Sequence, residues 1–150
     1  MTYSKTAFIK RLSQDRPLLL DGGFATQLEA QGFDVNHVLW SASLLQTNPN
    51  AILTAHQAYL KAGAECIETA SYQASYEGFA SQGMSSGQAD EMMRLSISLA
   101  SKANKDGHAL IAASIGPYGA MLADGSEYTG NYDVDRSTLV KFHKSRLTLF

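Results

Sequence analysis

An α/β fold of parallel strands covered by helices is what this sequence predicts, and three observations carry the prediction. Short apolar stretches without polar alternation suit strands buried on both faces. They alternate with helical patterns in the order strand, helix, strand, helix, strand, helix. Connections after the strands are long and polar, whereas connections after the helices are short. That asymmetry favours a (βα) barrel or a doubly wound sheet with its site on the carboxyl side of the strands.

The first strand is Pro17, Leu18, Leu19 and Leu20, and it ends in Asp21, Gly22 and Gly23. The glycines let the backbone turn sharply where a ligand approaches, and ligands of α/β proteins collect at strand ends. Asp21 is therefore a candidate for gripping an amine or a proton, or else the cap of the next helix. Ala25 to Ala30 is rich in helix formers and stops at Gly32, which reads as one or two helical turns and a loop. Asn48 offers an N-cap, Pro49 fits the first helical position, and Ile52, Ala55, Tyr59 and Ala62 recur at helical spacing until Gly63. Ala64 to Thr69, with Cys66 and Ile67, reads as the second strand, and it runs into the polar group Thr69, Ser71, Tyr72 and Gln73. Glu65 and Glu68 flank that strand. One of them must point to the sheet surface, and a solvated or paired acid is commoner than a catalytic one.

Ser75 to Gly87 reads as a long loop with room for a short helix. Ser85 with Gln88 resembles a capping box and opens a helix to about Asn104, with Ala89, Met92, Met93, Ile97, Ala100 and Ala103 on one face. Ala109 to Ile115 is the third strand. Gly116, Pro117, Tyr118 and Gly119 begin a predicted loop lasting to Asp133, and a loop of that length usually has a job. Its tyrosines, Tyr118, Tyr128 and Tyr132, either line a pocket or anchor the loop. Asp135 caps a last helix, in which Leu139, Phe142, Arg146, Leu147 and Phe150 lie about one turn apart.

A chain of 150 residues, 45% hydrophobic and 17% charged, has the composition of an ordinary soluble domain. Twelve Lys and Arg against 14 Asp and Glu give a formal net charge of -2 with no basic cluster, which argues against nucleic acid as a partner. No apolar run approaches the roughly 18 residues of a membrane span. Cys66 is the single cysteine, so an internal disulfide framework and a metal site built from several cysteines are excluded, and a reducing cytoplasm is the simplest home. Neither GxGxxG after the first strand nor GxxxxGK[ST] is present, which removes support for a dinucleotide or P-loop site. His37, His56, His108 and His143 are scattered without i, i+4 pairing and read as packing or surface residues, and Cys66 reads as a buried structural thiol. A barrel needs about 250 residues and eight units. Three are found here, so the fold is either a small three-layer sheet or part of something larger.

Leu20, Asp21, Gly22, Gly23, Phe24, Ala25, Thr26, Gln27, Leu28 and Glu29, followed by Leu39, Trp40 and Ser41, resemble the opening of the homocysteine S-methyltransferase family. Ala62, Gly63 and Ala64 leading into Thr69, Ala70, Ser71, Tyr72, Gln73 and Ala74 resemble its second-strand motif. Ser114, Ile115, Gly116, Pro117, Tyr118, Gly119 and Ala120 resemble its third. Residues 122–132 are similar to the branch that uses S-methylmethionine or S-adenosylmethionine. The resemblance implies the first three βα units of a (βα)8 TIM barrel, with residues 1–150 as the amino-terminal part of a homocysteine-binding methyltransferase, truncated after Phe150. It also implies methyl transfer from a sulfonium to homocysteine, giving methionine, with zinc as the family's cofactor. In that frame Asp21 holds the substrate ammonium beside Gly22 and Gly23. Ser41, Thr69, Ser71, Tyr72 and Gln73 shape the homocysteine site, and Tyr118 with the loop to Tyr132 faces the donor. The family's three zinc-binding cysteines correspond to no position here, and Cys66 matches none of them. The expectation is thus a substrate-binding part that does not catalyse alone and that self-associates through its unclosed barrel. A non-catalytic α/β module that binds amino acids or partner proteins is the alternative.

Overall fold

Parallel pairing sets the frame. In the computed structural model, which describes residues 5–35 and 39–150, β1 (Cys66–Glu68) and β2 (Leu110–Ala112) pair in parallel, with Cys66 opposite Leu110, Ile67 opposite Ile111 and Glu68 opposite Ala112. The predicted first strand runs beside β1 but contributes only one parallel bridge, Leu20 to Cys66, flanked by Glu65 N–H to the Leu19 carbonyl (2.8 Å) and Asp21 N–H to the Cys66 carbonyl (2.9 Å). Both regular strands are shorter than the sequence predicts. At their carboxyl end the Ser114 N–H turns to the Thr69 hydroxyl (3.0 Å) rather than to a backbone carbonyl, so a side-chain network takes over from the ladder.

Helices cover the sheet in the predicted order. Before the first strand lies α1 (Lys5–Leu12), an element the sequence pattern did not announce. Then come α2 (Phe24–Ala30), a 3-10 turn at Trp40–Ala42, α3 (Ser43–Thr47) and α4 (Pro49–Lys61). Pro49 opens α4 after Asn48, although the Asn48 side chain makes no capping hydrogen bond. Ser75 caps α5 (Tyr76–Ser81), the short helix within the 75–87 segment. The capping box is present at α6 (Ser86–Ala103): Ser85 Oγ accepts from the Gln88 N–H and Gln88 Oε1 accepts from the Ser85 N–H. The predicted loop from 116 to 133 is instead partly helical, with α7 (Tyr118–Leu122) and a 3-10 turn at Ser126–Tyr128. The reason is local. Ala123 adopts the left-handed conformation that ends α7, and Asp124 accepts the Ser126 N–H to start the next turn. Asp135 caps α8 (Arg136–Leu147) through the Thr138 N–H at 2.8 Å, as its spacing predicts.

The core lies where α4 and α6 meet each other and the sheet. Ile52, Ala55, Met93, Phe79 and Leu28 are buried there in one cluster, and Ile67 in the middle of β1 is fully buried as well. Burying the larger of these side chains stabilises the fold by about 1.5–3 kcal/mol each. Among the described residues no helix is long and apolar enough to cross a membrane.

Candidate functional site

The carboxyl ends of the strands converge on an open cleft of about 200 Å³. Asp21 reaches it because the Leu20 bridge brings the first strand's end beside the end of β1. Its carboxylate does not cap α2, whose N-cap is Gly23 without a side-chain bond; Asp21 Oδ2 instead accepts the Glu68 N–H at 2.9 Å. Burial pushes the Asp21 carboxyl up to about 6, helped by the nearby Glu68 charge and opposed by the hydrogen bond from the Glu68 amide. Gly22 and Gly23 form the turn beside it. Tyr59 Oη donates to the Gly23 carbonyl at 2.9 Å, and a Cβ on Gly22 would lie 3.3 Å from that hydroxyl.

Of the predicted site residues, Asp21, Gly22, Ser41, Thr69, Tyr72 and Gln73 line the cleft together. Gly23, Ser71 and Tyr118 do not. Ser71 is buried behind the wall, where its hydroxyl donates to the Ser114 carbonyl at 2.8 Å and meets Thr69 Oγ1 at 2.6 Å. Since the Ser71 proton goes to that carbonyl, Thr69 donates to Ser71 while accepting the Ser114 N–H. Tyr118 packs edge-on against Phe142 (5.0 Å between centroids) and tilted against Tyr132 (5.7 Å), and so anchors α7 to α8. Tyr72 sits at the mouth, where burial and the adjacent Glu127 carboxylate push its hydroxyl up; the same carboxylate raises the exposed Tyr128.

The sequence reading missed two polar wall residues. Glu68 was grouped with Glu65 as a flanking acid, yet it lines the cleft and accepts the Ser114 hydroxyl at 3.0 Å. Period-two alternation was the available signal: with Ile67 buried on one face, Glu68 must face the other way. Ser114 is placed by the β1–β2 register. Phe24 and Ala25 add an apolar side.

A second support lies behind the cleft. Arg146, 1% exposed, donates to the Ala74 carbonyl at 3.3 Å and to the Gly116 carbonyl at 2.7 Å, with its guanidinium 4.1 Å from the Phe142 ring. Burial lowers its pKa to about 10, against a smaller opposing effect of Glu77. Gly116 also donates to the Tyr72 carbonyl at 3.0 Å, and a Cβ there would lie 2.5 Å from that oxygen, so only glycine permits the approach.

Cys66 and the described histidines lie in the core or at the surface. Cys66 is buried, and burial with the Asp21 and Glu68 charges pushes its thiol up, away from thiolate chemistry. His56 is fully buried against Phe24 with a pKa lowered to about 4 by that burial. His108 is at the surface near Asp106, and His143 lies against Phe142 and Arg146. His37 falls outside the described residues. Among those described, no three His, Cys, Asp or Glu side chains come together as a metal-binding group.

A family model described as homocysteine S-methyltransferase matches residues 18–150. Homocysteine S-methyltransferase YbgG of Bacillus subtilis (strain 168) is 44% identical over 151 residues, which cover 93% of this chain and 48% of that protein. Homocysteine S-methyltransferase of Escherichia coli (strain K12) is 45% identical over 138 residues, 87% of this chain and 44% of the other. The crystal structure of the homocysteine methyltransferase MmuM from Escherichia coli in its metallated form superposes with a TM-score of 0.85 at 41% identity, covering 94% of this chain and 52% of that one. The chain thus spans about half the length of the curated relatives it matches.

Proposed function

Because this chain belongs to the homocysteine S-methyltransferase family, we propose that it forms the homocysteine-binding part of an enzyme that moves a methyl group from S-methylmethionine or S-adenosylmethionine to the sulfur of homocysteine, giving methionine. The observation that carries this reading is the position of Asp21: a half-buried carboxylate at a strand end, in a cleft with no Lys, Arg or His among the described residues that line it. A cleft so biased attracts an ammonium, and a charge-assisted hydrogen bond to a carboxylate is about twice as strong as a neutral one. Ser41 and Gln73 offer hydroxyl and amide donors to the amino acid's carboxylate. Ser71 sets the Thr69 hydroxyl, and Gly22 with Gly23 keeps the backbone close to the ligand. Tyr118 serves the donor side indirectly by holding the segment that runs to Tyr132, and the rings of Tyr72 and Tyr128 suit a sulfonium cation.

Zinc supplies this family's chemistry by holding homocysteine as a nucleophilic thiolate. The described residues here do not fit that ion. The one cysteine has a raised rather than lowered pKa, and no cluster of donors surrounds it. The contribution of these residues is to bind and orient the amino acid, in the reducing cytoplasm that a free buried thiol suits. Titration of the chain with L-homocysteine, followed by amide chemical shifts, tests the reading. Shifts at Asp21, Thr69 and Gln73 are expected, with loss of the response in Asp21→Asn and none to 4-sulfanylbutanoate, which lacks the ammonium. An unaltered chain that ignores L-homocysteine overturns it.

A further inference from the structure

We propose that Glu68 is a specificity-determining residue of this site: the ligand's ammonium sits between Asp21 and Glu68, and the Ser114 hydroxyl fixes the Glu68 carboxylate for that purpose. This rests on the homocysteine-binding reading above and adds a residue to it.

The argument begins with the strand. Ile67 is fully buried, and the next residue, Glu68, points to the opposite face and lines the cleft. Asp21 spends Oδ2 on the Glu68 N–H, and Glu68 spends Oε2 on the Ser114 hydroxyl. Among the described residues each acid is thereby anchored by one oxygen, which leaves the other for a ligand. Among the described residues, the other titratable groups around the pair are Cys66 on the same strand, Tyr59 on α4 and Tyr72 at the cleft mouth, none of them a cation. Two like charges at adjacent strand ends repel, and burial further disfavours the charge on Asp21, so the pair gains most when a cation enters between them. A primary ammonium has three N–H donors and matches two carboxylates at once. Glu65, only three residues earlier, shows what a structural acid on this strand looks like: both its oxygens are taken by arginines.

Glu68→Gln tests this, since the amide oxygen still accepts the Ser114 hydroxyl while the charge is lost. Affinity for L-homocysteine is expected to fall roughly tenfold, the size of one hydrogen bond to a charged group. The pH profile separates this from a merely structural role. In the unaltered chain binding strengthens as pH rises through about 6, where Asp21 ionises. In Glu68→Gln the repelling charge is gone and that rise moves to lower pH. Ser114→Ala serves as the second variant, with an expected loss of about two- to threefold, smaller than one full hydrogen bond, and an unmoved profile. If Glu68→Gln is folded and matches the unaltered chain in affinity and profile while Asp21→Asn does not bind, Glu68 has no such role and the site reading stands. If neither acid matters, both fall together.

Discussion

At the amino end of β1, Glu65 is clasped by Arg11 (2.6 and 3.0 Å) and Arg16 (2.7 and 2.9 Å), and the Leu19 N–H adds a fifth contact. At the carboxyl end of the same strand, Glu68 meets one hydroxyl and a neighbouring acid. The two residues have the same side chain and flank the same short strand segment, yet only one is held by cations. The difference teaches how a parallel sheet divides its labour: the amino ends hold the fold together, and the carboxyl ends keep charge available for a ligand.

The strongest way to break this division is to remove the hidden cation that supports the carboxyl end. Arg146→Met leaves the Ala74 and Gly116 carbonyls without their donor. About 4 kcal/mol should be lost in urea unfolding, since each buried acceptor left unsatisfied costs roughly 1–3. Acid comes next. His56 is held neutral in the fold, with a pKa near 4 against an ordinary 6.5. The unfolded chain therefore binds a proton that the folded chain refuses as pH falls from 6.5 toward 4, and stability drops by about 3 kcal/mol across that window. His56→Phe should flatten this slope in pH-dependent thermal unfolding, exposing the behaviour of the two acids beneath it.

Glu65→Gln should lower the unfolding midpoint by less than either change and leave L-homocysteine titrations untouched. The two arginines hold the Glu65 carboxyl well below the usual carboxylate range, so its contribution is present above pH 4.5 and is lost on acidification below it. Added salt should shrink the difference between variant and parent. The smallest effect is expected from Asp21→Asn, with the opposite sign. Because the folded pKa is raised from 3.8 to about 6, the ionised group weakens the fold as pH rises through 6. The amide should therefore stabilise at pH 7 by less than about 1 kcal/mol, given the solvent Asp21 still touches, and by nothing in dilute acid.

Features set by neighbours in the chain were legible in advance. The Ser85–Gln88 box and Asp135 at the start of α8 depend on residues three positions away, and both are found as read. Asp21, Thr69, Tyr72 and Gln73 were legible as a group because polar residues at strand ends meet whenever the strands are parallel, whereas Ser41, in the turn before α3, was legible only through the family resemblance. Contacts across long separations were not. Arg146 looked like one more apolar-face position of a helix, and nothing in its own segment announces the Ala74 and Gly116 carbonyls that it holds. Ser114 becomes a wall residue only once Glu68 is opposite Ala112. For Tyr118 the residues alone left pocket lining and anchoring open, and the contact of its ring with Phe142 from α7 to α8 depends on partners far along the chain.

The pairing of Cys66 with Leu110 carries a consequence for how errors are excluded while this chain folds. Side chains alternate along a strand, so a slip of one residue would drive the Glu68 carboxylate to the buried face and lift Ile67 out of it. Burying an unpaired carboxylate is among the costliest mistakes a chain can make. The acid kept exposed for a ligand is thus also the proofreader of the sheet: a misregistered β1 is rejected by the same charge that a correctly registered one presents.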